Sequence, residues 1–386
     1  MTMRITLGTP GRIMPEAHRA IELAQQAERD GFDTVWWPCH LMGWLPDSVW
    51  TPEFTGLAAY QSNPHMYFEP LTMMGAVGAA TDRVRVGVVV TDLIRHHPAM
   101  IANQMLTVDH LAKGRAILGL GSGERMNVAP YGIEWNKPVS RLAEGIEVIR
   151  KLWDSGGRPV NHEGEFFRLE GAVLGLEPYH AVPPPLWLAA HGPRMLKLTG
   201  KFADGWLPTN IEVEAYAEKL GVIRQSAEAN GRDPDAIVPS MLAYVLCAPD
   251  EETLIRLCEQ PLTRLLFAAV DISPETYARY GSTSPFEGGT GFHSYIPSLV
   301  TREEALRVAS HIPNEIVLDS TLHGTPEQIA AQIRDYQSVG MRDVILWNIT
   351  AFADPALAGY SFKAMLEVKR LLGDGDAGEV GTGGSA

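Results

Sequence analysis

The feature that most limits what this chain can fold into is its alternation of short apolar runs with longer helical ones. Residues 5–9, 33–37, 84–90, 116–120, 186–190, 205–208, 241–246 and 344–347 read as strands. Nearly every one is followed by a stretch with helical spacing, at 16–30, 71–80, 98–111, 139–153, 194–202, 213–230, 251–270, 325–339 and 355–372. The segment from Val84 to Val90 is β-branched almost throughout, the pattern of a strand covered on both faces. Gly31 closes the first helix, and Thr325-Pro326 opens a later one as cap and first residue. Strands separated by helices imply right-handed βαβ units and a parallel sheet. Eight of them in 386 residues favour a closed (β/α)8 TIM barrel over an open doubly wound sheet. The first turn, Gly8-Thr-Pro-Gly11, also lacks the Gly-x-Gly-x-x-Gly fingerprint of the open alternative. The expectation is one domain over 1–372, with insertions in the βα loops near 39–68, 155–184 and 271–319. Residues 161–168 read as a hairpin within the second insertion, and the Gly-rich tail 373–386 reads as disordered.

Composition narrows the function. A formal net charge of −14 argues against nucleic acid or an anionic membrane surface as partner. No run approaches the ~20 apolar residues of a membrane span, and no basic leader precedes an apolar stretch. Cys39, Cys247 and Cys258 are too few for a disulfide framework and lack metal-ligand spacing. The expectation is a cytoplasmic protein with no metal site, acting on a small molecule.

In such a barrel the active site lies at the C-terminal ends of the strands, and several ends are unusual. The second leads through Pro38 into Cys39-His40, with Trp44 close behind. The third ends at Val89-Val90-Thr91-Asp92, before Arg95-His-His-Pro98. The fourth ends in Gly119-Leu-Gly121-Ser122-Gly123-Glu124, the fifth in Ala190-His191-Gly192-Pro193, and the sixth at Thr209. Each has a plain structural reading: a core histidine, a tight turn, a solvated carboxylate, a helix entrance. His96-His97 reads as an exposed turn, since two histidines without a third ligand make no metal site. Together, though, the Gly-rich turn and the Gly192-Pro193 helix start offer bare backbone N–H groups to an anion. The loops after strands two and three add aromatic and apolar surface for a flat ring.

This combination resembles the luciferase-like family of flavin- and deazaflavin-binding barrels, over roughly residues 4–350. Within the family it is most similar to the coenzyme F420-dependent reductases and dehydrogenases. The segments 37–44 and Trp50-Thr-Pro-Glu53 resemble the phthiodiolone-type ketoreductases. The resemblance implies that His40 donates or accepts a proton beside the hydride-transfer carbon, with Trp44 packed at the same site. It implies Glu124 near the pyrimidine edge of the deazaflavin ring, and a non-proline cis peptide at Val89-Val90 behind that ring. Cys39 and Asp92 would adjoin the cofactor, while Gly121, Ser122, Gly123, His191 and Gly192 would hold its ribityl-phosphate portion. Trp44, Trp50 and Thr209 would contact an apolar ketone or alcohol. The implied reaction is hydride transfer between F420 and a carbonyl or secondary alcohol, and the implied assembly a homodimer. The alternative on the same barrel is an FMN-dependent monooxygenase using reduced flavin and oxygen.

Two positions depart from the family pattern. Cys39 stands where relatives carry an Asp, which removes an acceptor that could orient the His40 imidazole. Glu212 follows Thr209 where glucose-6-phosphate enzymes carry a Lys, which argues against a sugar-phosphate substrate. Trp44, Trp50, Phe54, Tyr60, Met66, Tyr67 and Phe68 are expected to line a roomy apolar pocket instead.

Overall fold

The computed structural model describes residues 3–8, 16–209, 211–270, 272–286, 291 and 295–373. Eight strands occupy the expected places: β1 (Arg4–Gly8), β2 (Thr34–Trp37), β3 (Arg85–Val88), β4 (Ala116–Gly121), β5 (Leu186–Leu188), β6 (Gly205–Trp206), β7 (Val238–Cys247) and β8 (Asp343–Asn348). All neighbours run parallel, and the ring closes. Leu7 of β1 lies opposite both Val35 of β2 and Leu346 of β8. Register then passes through Trp36–Gly87, Val86–Ala116, Leu118–Leu186 and Leu188–Trp206 to Gly205–Val238 and Leu242–Ile345. The chain is therefore a (β/α)8 barrel.

Strand periodicity divides the core in two. Val35, Trp37, Val86, Val88, Leu118, Leu188, Val344 and Leu346 pack outward with helix residues such as Ala20, Ala24, Val77 and Ile101. Trp36, Ile117, Trp187, Leu242, Tyr244, Ile345 and Trp347 fill the interior. The Trp36 and Trp187 rings stand 5.3 Å apart. Room for these indoles comes from glycines on neighbouring strands. A Cβ on Gly87 would overlap Trp36, one on Gly205 would overlap Trp187, and one on Gly8 would reach the Trp347 ring. The lumen is a packed plug.

The structure departs from expectation in several places. The helix expected over 251–270 is two helices, Glu251–Cys258 and Pro261–Ala269, because Pro261 has no N–H to continue the first. A three-residue strand, Leu322–Gly324, adds to the far end of β7. The hairpin is longer than predicted, Val160–Glu163 with Arg168–Ala172. Glu144 fastens it to the helix Pro138–Trp153 by accepting from the N–H groups of Glu165, Phe166 and Phe167 at 2.7–3.1 Å. In the third insertion the described residues form the helices Pro274–Arg279, Arg302–Ser310 and Asn314–Asp319. An Arg302–Glu53 ion pair of 2.8 Å ties that region to the first insertion. Gly373 ends the last helix, and the remainder of the expected tail lies outside the described residues. Among the described residues no helix is long and apolar enough to cross a membrane, and no cluster of His, Cys, Asp or Glu could hold a metal.

Candidate active site

The C-terminal strand ends surround a cavity of about 330 Å3. Of the residues singled out from the sequence, Cys39, His40, Trp44, Val89, Val90, Asp92, Gly121, Ser122, Gly123, Glu124, His191, Gly192 and Thr209 all line it. Trp50 does not. Its indole is buried and donates to the Gln61 carbonyl at 2.7 Å, packed with Leu45, Val49 and Leu57 of the 39–68 loop into the same core as the barrel interior. Tyr60 points to solvent. The apolar wall comes instead from Leu207, Leu242, Tyr244, Val270 and Trp347, with Trp44 as the aromatic supplied by the loop.

His40 leaves β2 after Pro38 and enters a tight polar triangle. Asn127 Nδ2 lies 3.0 Å from His40 Nδ1 and 2.9 Å from Glu124 Oε2, and Glu124 Oε2 is 3.3 Å from His40 Nδ1. The orientation of the Asn127 amide follows from its other end. Oδ1 accepts from the backbone N–H groups of Leu41 and Met42, both at 2.8 Å, and those groups can only donate. Nδ2 therefore donates toward His40, which makes Nδ1 an acceptor and puts the proton of the neutral ring on Nε2. Glu124 and Asn127 reach the same point because a turn of 3-10 helix, Arg125–Asn127, follows the Gly-rich exit of β4. Burial pushes the Glu124 carboxyl up to about 7, although the Asn127 hydrogen bond and the Arg95 charge act in the opposite direction.

The exit of β3 contains the non-proline cis peptide Val89–Val90. Glycines of β4 receive it: a Cβ on Gly119 would overlap the Val88 carbonyl, and one on Gly121 would lie 2.8 Å from Val90 Cγ2. Next along the chain, Asp92 is consumed in holding the turn. Its carboxylate accepts from the backbone of Ile94 and Arg95 and from Arg95 Nε at 2.6 Å. Arg95 Nη2 in turn donates to the Cys39 carbonyl at 2.8 Å, with the thiol at 3.4 Å. Burial raises the Cys39 thiol pKa against the pull of Arg95. The Asp absent at position 39 is thus not missed by His40, whose Nδ1 is oriented from β4. His96 is half-buried beside Cys39, its Nε2 4.0 Å from Sγ, so it is not the exposed turn residue expected. The exposed partner is His97, which caps the helix Pro98–Leu111 by accepting from the Ala99 N–H.

His191 forms the opposite wall. Its Nε2 accepts from the Thr209 N–H at 3.2 Å, with the Thr209 hydroxyl at 3.0 Å. The neutral ring therefore carries its proton on Nδ1. Burial, reinforced by Lys219, pushes its pKa down to about 4. Lys219 itself donates to the His191 carbonyl at 2.9 Å. Glu212 is engaged by Arg279 at 2.8 Å, which leaves an acid-centred ion pair beyond Thr209.

Among the cavity residues that sequence reading did not single out are Asn127, Arg95 and the apolar wall of Leu207, Leu242, Tyr244, Val270 and Trp347. For Asn127 a weak signal exists: it follows Glu124 by three residues, which brings the two together in any helical turn.

Comparison with known proteins extends these observations. The family model for luciferase-like monooxygenases matches residues 3–343. The phthiodiolone/phenolphthiodiolone dimycocerosates ketoreductase of Mycobacterium tuberculosis strain H37Rv is 34% identical over 322 residues, covering 82% of this chain and 84% of the relative. The F420-dependent glucose-6-phosphate dehydrogenase of Nakamurella multipartita is 29% identical over 361 residues, covering 92% and 93%. An F420-dependent secondary alcohol dehydrogenase, solved with an F420-acetone adduct, superposes with a TM-score of 0.75 at 21% identity, over 96% of this chain and 99% of that one. From β1 to the start of β8, the chain belongs to the luciferase-like monooxygenase family.

Proposed function

We propose that this protein is an F420-dependent oxidoreductase that interconverts a carbonyl and a secondary alcohol on an apolar substrate, with His40 as proton donor and acceptor. The observation that carries the reading is the His40 imidazole, fixed through Nδ1 by Asn127 and Glu124 at the cavity wall. The residues present fit the cofactor. Val89 and Val90 offer an apolar backing for a flat ring. A Cβ on Gly192 would meet nothing within 4 Å, so the backbone there is accessible to an anionic chain entering beside the helix Pro193–Phe202. His191 adds an Nδ1–H donor on an imidazole that stays uncharged down to about pH 4. When bound, coenzyme F420 supplies the hydride. The protein's part is to hold the carbonyl carbon in reach, exclude water with Leu207, Leu242 and Trp347, and move one proton at the substrate oxygen.

The test measures affinity for F420 and for FMN side by side, then turnover with a panel of ketones and secondary alcohols. The reading expects tighter F420 binding and reversible carbonyl reduction, with a loss of about 100-fold or more in kcat for His40→Asn at unchanged cofactor affinity. Preferential FMN binding with oxygen consumption would place the chain among flavin monooxygenases instead.

A further inference from the structure

We infer that Arg95 is a cofactor-binding residue, whose one uncommitted guanidinium nitrogen meets the negative charge of the reduced ring and shifts the site toward reduced F420. The inference rests on the F420 reading above and adds which redox state the site is built to favour.

Arg115 shows how this barrel treats an arginine whose role is structural. Both of its terminal nitrogens are engaged, with the carbonyls of Gly78 and Thr81 at 2.8 and 2.7 Å and with the Thr81 hydroxyl and Val84 carbonyl. Arg95 is different. Its side chain is only 7% exposed, its Nε is taken up by Asp92, and its Nη2 by the carbonyl and thiol of Cys39. Nη1 donates to none of the described residues, although Arg95 lines the cavity. Burial acts against the charge, but Cys39, Asp92 and Glu124 hold the guanidinium above its ordinary pKa. A buried cation with two N–H bonds unmet is unfavourable unless a ligand meets them. The groups around it leave that place open. The Asp92 carboxylate is engaged by the Ile94 and Arg95 backbone and by Nε, burial keeps the Cys39 thiol protonated, and burial pushes Glu124 up to about 7. Position then separates two anions. Arg95 follows Val89 and Val90 on the β3 exit, the wall that offers the apolar backing for a ring, whereas the open helix start at Gly192 belongs to the opposite wall with His191. The charge that Arg95 meets is therefore that of the ring. Hydride brings an electron pair, so a ring that takes it up gains one negative charge, and a cation beside it favours that form over the oxidised one.

The test titrates the full-length protein anaerobically with oxidised and with reduced F420, and the readout is the ratio of the two Kd values. Arg95→Met should lower the preference for the reduced form by about 10-fold, which corresponds to a fall of ~30 mV in the potential of the bound cofactor. Asp92→Asn leaves the guanidinium without its counter-charge and should raise that preference. A role confined to holding the β3 exit would instead weaken both redox states together, in both variants. Should Arg95→Met fail to fold, the double variant Asp92→Asn/Arg95→Met, which buries no lone charge, should show the same lowered preference. A ratio unchanged on loss of the arginine, however far both affinities fall, would overturn the inference. So would an Asp92→Asn ratio that does not rise. A wild type that prefers FMN would refute the function, and the same titrations with oxidised and reduced FMN would then decide the role of Arg95.

Discussion

Replacing Glu124 by Gln should change how the stability of the folded chain depends on pH, in a direction the structure dictates. The carboxyl has its ordinary value of 4.5 when the chain is unfolded and about 7 in the fold, with burial the largest cause. Between those values the unfolded state has released the proton while the native state still holds it. The unfolded state therefore binds fewer protons, and stability falls as pH rises from 4.5 through about 7, then levels off. The full interval corresponds to ~3 kcal/mol at most. A quarter of the side chain remains open to the cavity, so screening reduces this to ~2 kcal/mol between pH 5 and 8. Glutamine retains an acceptor for Asn127 and cannot ionise. Asp343, also pushed up by burial, to about 6, adds a fall of its own, but equally in both proteins. The measurement is urea unfolding of wild type and Glu124→Gln at pH 5 and 8, followed by the fluorescence of the nine tryptophans. The variant should gain on the wild type by ~2 kcal/mol at the higher pH. Stability differences that stay parallel across the range would refute the raised carboxyl.

Other consequences are simpler to test. Gly205→Ala should destabilise the barrel by ~3 kcal/mol or more, since its Cβ would overlap the buried Trp187 ring and neither strand has room to give; chemical denaturation would measure it. Because His191 stays neutral down to about 4, cofactor affinity should show no inflection from that residue between pH 5 and 8, and a step in Kd abolished by His191→Gln would contradict the assignment. Arg302→Ala removes a half-exposed ion pair with Glu53 and should cost under ~1 kcal/mol; a much larger loss would mean that the two insertions depend on it.

Much of this architecture was readable from the residues because barrel strands announce themselves locally. Val84 to Val90 is β-branched, Gly31 stops a helix, and Pro98 starts one, so strand count and order followed. The site was legible to the extent that barrel geometry collects strand ends; His40, Val90, Glu124 and His191 converge for that reason alone. Trp50 misled because an aromatic residue in a loop declares that it needs burial, not what it will be buried against, and here it joins the core of the barrel interior rather than the cavity wall. Asn127 was invisible for a different reason. Its importance lies in partners 85–87 positions earlier in the chain, a relation that no local pattern records.

The orientation of Asn127 by two main-chain N–H groups has a wider meaning. His191 is set in the same manner, by the main-chain N–H of Thr209. The protonation pattern of the cavity is thus written in the backbone, at a loop and a strand end, rather than in the side chains that meet the substrate. Leu207, Leu242 and Trp347 can drift to suit a new substrate while both histidines keep their tautomers. A barrel built this way can change what it accepts without relearning its acid–base chemistry.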